Sequence, residues 1–138
     1  MLELNKIYCG DCAKIMEEFP NKYFDLCLTD PPYGIKIAQS GKIGGNNLAR
    51  VTDYGICNWD IKRLNQNYFL EIFRISKNQI IFGGNYYTDF LYPSSCWIIW
   101  DKNISGNFAD CELAWTSFKK SVKKYKFTWN GMLQENMK

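Results

Sequence analysis

Histidine is absent from this 138-residue chain, and proline occurs only four times. The first absence removes the commonest general base and metal ligand from these residues. No apolar run approaches the roughly eighteen residues of a membrane-spanning helix. Met1-Leu2-Glu3-Leu4-Asn5-Lys6 lacks the charged and apolar blocks of a signal peptide, so the chain is expected to stay in the cytoplasm. The six cysteines are therefore read as reduced thiols rather than a disulfide framework. Cys9-Gly10-Asp11-Cys12 has the spacing of a metal or redox pair. With no histidine and no second close cysteine pair, no metal is expected, and a redox role would require a depressed thiol pKa. What the chain does have is 46% hydrophobic and 17% aromatic residues, enough to pack one domain across 1–138.

Two of the four prolines are adjacent, in Asp30-Pro31-Pro32-Tyr33, at the exit of the apolar run Phe24-Asp25-Leu26-Cys27-Leu28-Thr29. Proline fixes φ, has no N–H and holds the preceding residue extended. The stretch therefore reads as a rigid row of acceptors, the Asp30 carboxylate and the neighbouring main-chain oxygens, ending in an aromatic face at Tyr33. An exocyclic amine on a nucleobase donates two hydrogens, so two acceptors can grip it. Acceptors out of the ring plane draw the nitrogen towards a tetrahedral shape and favour its attack on a methyl donor, which is stabilisation aimed at the reacting state. A base in a duplex reaches such a row only by extrusion. Stacking on an aromatic returns about 1–3 kcal/mol per base. The bland alternative is a strand-terminating Asp-Pro turn.

Asp-Pro-Pro-Tyr after an apolar strand resembles the catalytic motif of amino-group DNA methyltransferases that use S-adenosylmethionine. The resemblance runs on through Asn5 to Cys12, Ile80-Ile81-Phe82-Gly83-Gly84-Asn85, Trp97-Ile98-Ile99-Trp100-Asp101-Lys102 and Phe108 to Trp115. With the tetrad near the N-terminus, the order is similar to the permuted group of that family. The resemblance implies an α/β fold with an incomplete Rossmann-like methyltransferase sheet, mostly parallel with an antiparallel closing pair. It implies a catalytic role for Asp30, Pro31, Pro32 and Tyr33, and cofactor contacts from Asp11, Cys12 and Asp30. It further implies methyl transfer to adenine N6 of an extruded base, with cytosine N4 as the alternative. The setting it implies is a bacterial or phage-encoded restriction-modification enzyme. The family's chains continue into a glycine-rich cofactor turn, whereas six residues follow Gly131-Met132. The expectation is thus a truncated catalytic region, inactive alone, binding S-adenosylmethionine weakly or not at all, and self-associating through an exposed apolar sheet edge.

Along the chain the pattern predicts a short strand at Ile7–Cys9 and a helix opening at Asp11 or Cys12 and stopping at Pro20. A buried strand follows at Asp25–Thr29. From 34 to 58 the sequence is glycine-rich and polar, and it is read as a mobile loop over the site. Gly41-Lys42-Ile43-Gly44-Gly45 within it is at best a weak phosphate-cradle signal. A helix is expected over Ile61–Ser76 with Leu64, Tyr68, Ile72 and Ile75 on its apolar face. Strands are expected at Asn78–Phe82 and Cys96–Trp100, with a short helix Tyr86–Leu91 between them. Cys111–Ser117 and Val122–Trp129 are expected to form the antiparallel closing pair. Gly83-Gly84-Asn85 reads equally as a turn or as a close approach to a ligand.

Charge is concentrated at the C-terminal end. Residues 116–138 hold Lys119, Lys120, Lys123, Lys124, Lys126 and Lys138 against Glu135, a net +5 out of a chain total of +3. Such a cluster neutralises phosphates, which makes nucleic acid the expected partner. It equally suits an edge strand guarded by lysines. A non-catalytic nucleic-acid-binding remnant is accordingly the second functional reading.

Overall fold

Helix passes directly into strand at Ser76, and that junction organises the molecule. A computed structural model describes residues 3–36, 42–43, 52–53, 60–103, 109–130 and 133–134. Its helices are α1 (Cys12–Glu17) and α2 (Gln66–Ile75). Its strands are β1 (Phe24–Thr29), β2 (Lys42–Ile43), β3 (Thr52–Asp53), β4 (Ser76–Phe82), β5 (Trp97–Asp101), β6 (Cys111–Thr116), β7 (Lys123–Lys126), β8 (Trp129–Asn130) and β9 (Leu133–Gln134). β2 pairs with β3 and β8 with β9 as short antiparallel ribbons. The other five form one mixed sheet in the order β1-β4-β6-β5-β7. β1, β4, β5 and β7 point the same way, while β6 runs against both its neighbours. This is an α/β architecture, with α2 as the crossover between the parallel neighbours β1 and β4.

Local chemistry sets the helix ends. Asp11 caps α1, its carboxylate accepting from the Ala13 amide at 3.0 Å, and Asn65 caps α2 by accepting from the Tyr68 amide at 3.3 Å. At the far end of α1 the Met16 and Phe19 carbonyls accept from the Arg74 guanidinium at 2.9 and 2.7 Å, so orphaned carbonyls there are satisfied from α2. The two helices close over Met16, Phe19, Ile72 and Ile75, while Phe69, Ile81, Tyr87, Leu91 and Trp115 form the second core cluster. Each such fully buried apolar side chain contributes about 1.5–3 kcal/mol.

Several expectations need correction. Ile7–Cys9 forms no strand and is exposed, and it joins neither edge of the five-stranded sheet. β1 is an edge strand rather than a buried one. Cys27 faces the helices, but Leu26 and Leu28 are 45% and 63% exposed on the opposite face. α2 begins at Gln66, since Asn65 caps it and Asp60 upstream is engaged with Gly34, whose amide donates to Asp60 Oδ1 at 2.7 Å. The expected Tyr86–Leu91 helix is instead a 3-10 turn over Gly84–Tyr86. β6 and β7 are not partners: β5 lies between them and pairs with β7 in parallel. The loop expected over 34–58 lies largely outside the described residues.

Candidate functional site

β1 carries the tetrad to the carboxyl end of the parallel pair β1·β4, where open α/β sheets bind ligands. Asp30 is exposed, Pro31 is buried and Tyr33 is half-buried. The Tyr33 hydroxyl donates to Asp30 Oδ1, and its ring stacks on Tyr86 with centroids 4.6 Å apart and planes 15° from parallel. Burial, then the hydrogen bond to Asp30, then the charges of Asp30 and Glu112 push the Tyr33 phenol well above its ordinary range. Gly83 makes room for that ring, since a Cβ there would sit 1.9 Å from Tyr33 Cε1. Its φ of 62° is also one that few residues but glycine adopt readily. Close approach is therefore the reason for glycine at Gly83, and the approaching group is the tetrad's own tyrosine.

The backbone row is pinned at one end. The buried Tyr87 hydroxyl donates to the Pro32 carbonyl, which is thereby engaged. Asp30 is exposed whereas Pro31 is buried, so the acceptor open to a ligand is the Asp30 carboxylate. Asp30 lines a cavity of about 360 Å³ with Leu28, Thr29, Phe82, Trp100 and Glu112. This volume is at the small end for ligand pockets. Tyr33 does not line it, and a base would have to displace Tyr86 to stack on the face that Tyr86 covers.

Across the sheet, β5 and β6 set Trp100 directly opposite Glu112. The Trp100 indole N–H donates to the Phe127 carbonyl at 2.9 Å, which fixes the ring. Glu112 Oε1 pairs with Lys102, a buried cation whose Nζ lies 5.6 Å from the Trp100 ring centre and 5.7 Å from that of Trp129.

Asp11 and Cys12, both exposed, start α1 beside this end of β1. Tyr68 borders that end: its hydroxyl lies 3.4 Å from Thr29 Oγ1, next to Asp30. Burial is the main reason the Tyr68 phenol titrates above its usual range. Asp11 spends one oxygen on capping, which leaves the other for a ligand. Cys9 and Cys12 are exposed free thiols, and among the described residues no group of three or more potential metal ligands occurs. No helix among them is long and apolar enough to cross a membrane.

The lysines divide. Lys123, Lys124 and Lys126 lie exposed on β7, the edge opposite β1 and roughly 19 Å away at ordinary strand spacing. Lys124 pairs with Asp101 at 2.8 Å, and alternation puts Lys123 on the other face of the strand from Lys124 and Lys126. Lys119 and Lys120 are exposed in the turn after β6. Lys119 also borders a separate cavity of about 330 Å³ at the opposite end of the sheet, with Lys22, Gln79 and Ser117.

Sequence reasoning gave no place in the site to Glu112, Lys102, Trp100, Tyr68 or Tyr87. A signal existed for two of them: Glu112 interrupts the apolar run Cys111–Trp115, and Lys102 follows the apolar run Trp97–Trp100. Charges in or at the end of such runs call for partners. Compared with known proteins, the chain matches no family model and no curated sequence.

Proposed function

We propose that this chain is the base-gripping region of an S-adenosylmethionine-dependent amino-group DNA methyltransferase with a Rossmann-like sheet, acting on adenine N6, with cytosine N4 as the alternative target. One observation carries the reading: a rigid strand exit presents the exposed Asp30 carboxylate at a cavity of ligand size. Asp30 accepts one hydrogen of the extruded base's amine, pulling the nitrogen out of conjugation. The Tyr33 hydroxyl holds the carboxylate in place. Asp11 and Cys12 are assigned the cofactor's adenosine end, since Asp11 keeps one carboxylate oxygen free of its capping bond. When bound, the cofactor supplies the methyl group. The amine held by Asp30 would take that methyl group and then lose one proton to water. No residue has to act as a strong base.

The free edge of β1, with Leu26 and Leu28 exposed, is the surface through which this reading has copies of the chain associate. Lys123, Lys124 and Lys126 of β7, with Lys119 and Lys120 in the turn before it, supply the contact to DNA phosphates.

The region is expected to be inactive alone, so the test is transfer of a labelled methyl group to DNA carrying an unpaired target adenine by the chain completed with a cofactor-binding segment of the family. Incorporation that disappears in Asp30→Ala, with an unchanged circular dichroism spectrum, supports the assignment. Incorporation that persists in that variant overturns it. The second reading, nucleic-acid binding without chemistry, is favoured by the exposed lysines on β7. It predicts DNA binding with no incorporation by the completed chain and no effect of Asp30→Ala on affinity.

A further inference from the structure

The cavity beside Asp30 has a second wall, and its chemistry mirrors the first. Leu28, Thr29 and Asp30 come from β1 and its exit, Phe82 from β4, Glu112 from β6 and Trp100 from β5. Two carboxylates and two aromatic rings thus converge on one small space. Glu112 lies near enough to the tetrad for its charge to help raise the Tyr33 phenol. Tyr33 itself is engaged, by Asp30 through its hydroxyl and by Tyr86 through its ring, and it does not line the cavity. The flat surfaces that do are Phe82 and Trp100. Trp100 is held by its bond to the Phe127 carbonyl, so it gives up little freedom when a ligand stacks on it.

We propose that Trp100 and Glu112 complete the base pocket: Trp100 is the stacking platform, and Glu112 is the acceptor that takes the amine's second hydrogen opposite Asp30. This rests on the amine-gripping reading and deepens it, assigning to Glu112 the hydrogen that Asp30 does not take. Lys102 occupies Glu112 Oε1, balancing the charge and aiming the carboxylate, while Oε2 has lone pairs to spare. The ligand class is an unpaired nucleobase with a primary amino group. A consequence follows for the product. A monomethylated amine has one hydrogen left, so it satisfies only one of two facing carboxylates and is held less tightly than the substrate.

The experiment measures fluorescence anisotropy of the full 138-residue chain with three single-stranded oligonucleotides, identical except that the central base is adenine, N6-methyladenine or N6,N6-dimethyladenine. The wild type is expected to bind them in that order, with about a tenfold loss at each step, the size of one charge-assisted hydrogen bond. Glu112 also neutralises Lys102, so the informative variant replaces the ion pair by apolar residues, Lys102→Met with Glu112→Leu, a swap that buried pairs often tolerate. That variant is expected to lose the first step and keep the second. Trp100→Leu is expected to weaken all three oligonucleotides alike, by about tenfold or more, with Trp100→Phe intermediate. A double variant that keeps both steps, or a Trp100→Leu variant that folds and binds normally, overturns the inference while leaving Asp30 untouched. A wild-type chain that binds all three alike, or none of them, removes the amine-gripping reading itself and the inference with it.

Discussion

The hydroxyl of Tyr33 donates to the carboxylate of Asp30, three residues earlier in the same proline-stiffened turn. The tyrosine therefore orients the acid, and a third residue, Tyr86, holds the tyrosine by stacking. Tyr86 is tied in turn by its carbonyl, which accepts from Arg63 at 2.7 Å. A short chain of contacts thus fixes an exposed carboxylate that would otherwise swing freely.

Tyr33→Phe keeps the ring and its stack but releases Asp30. We expect the preference for adenine over N6,N6-dimethyladenine in a single-stranded oligonucleotide to fall roughly three- to tenfold, the value of one net hydrogen bond. The melting temperature should barely move, because Asp30 is exposed. Anisotropy titration and a thermal melt on the same sample check both halves.

Gly83→Ala places a methyl group where the Tyr33 ring lies and forces a left-handed φ on a residue with a side chain. The variant should lose about 1–3 kcal/mol of stability, read as a lower urea midpoint at unchanged slope. A midpoint equal to that of the wild type would mean that the ring gives way at no cost.

Acid should weaken the tie at Arg63. The Arg63 guanidinium holds the Asp89 carboxyl below its ordinary value of 3.8. A depressed folded-state pKa contributes stability above pH 3.8, and that contribution fades as pH falls through the folded value. The difference in melting temperature between wild type and Asp89→Asn should therefore be present at about pH 6 and shrink as pH falls below 3.8. A difference independent of pH would assign the effect of the variant to something other than charge.

Self-association through β1 is checked by Leu26→Lys, which puts a charge on the exposed face of the edge strand. Sedimentation velocity at rising concentration should show a wild-type species larger than the monomer and a mutant shifted towards the monomer. A wild-type chain that stays monomeric throughout rules out this use of the edge.

Much of the fold was legible locally. Asp11 announced a helix start through a side chain that accepts a backbone hydrogen, and apolar runs marked β1, β4, β5 and β6. The α2 start was misplaced because the apolar pattern continues upstream of Asn65, where Asp60 serves the tetrad loop instead. Burial was misjudged at Leu26 and Leu28, since an apolar run reads the same on an edge strand as on a central one. Within the site, the sequence named Asp30 and Tyr33, but it did not reveal that each would be the other's partner.

The sequence by itself determined the stiff acceptor row, the helix caps, the lack of any imidazole and the concentration of lysines towards one end. These follow from covalent geometry and from neighbours a few residues apart. Tertiary structure alone decided that β6 slides between β4 and β5, and so that Glu112 stands opposite Trp100 and shares a cavity with Asp30. Strand order depends on pairing between segments far apart in the chain. The gain from such pairing comes from the assembled sheet, and no local pattern records which strands will be neighbours.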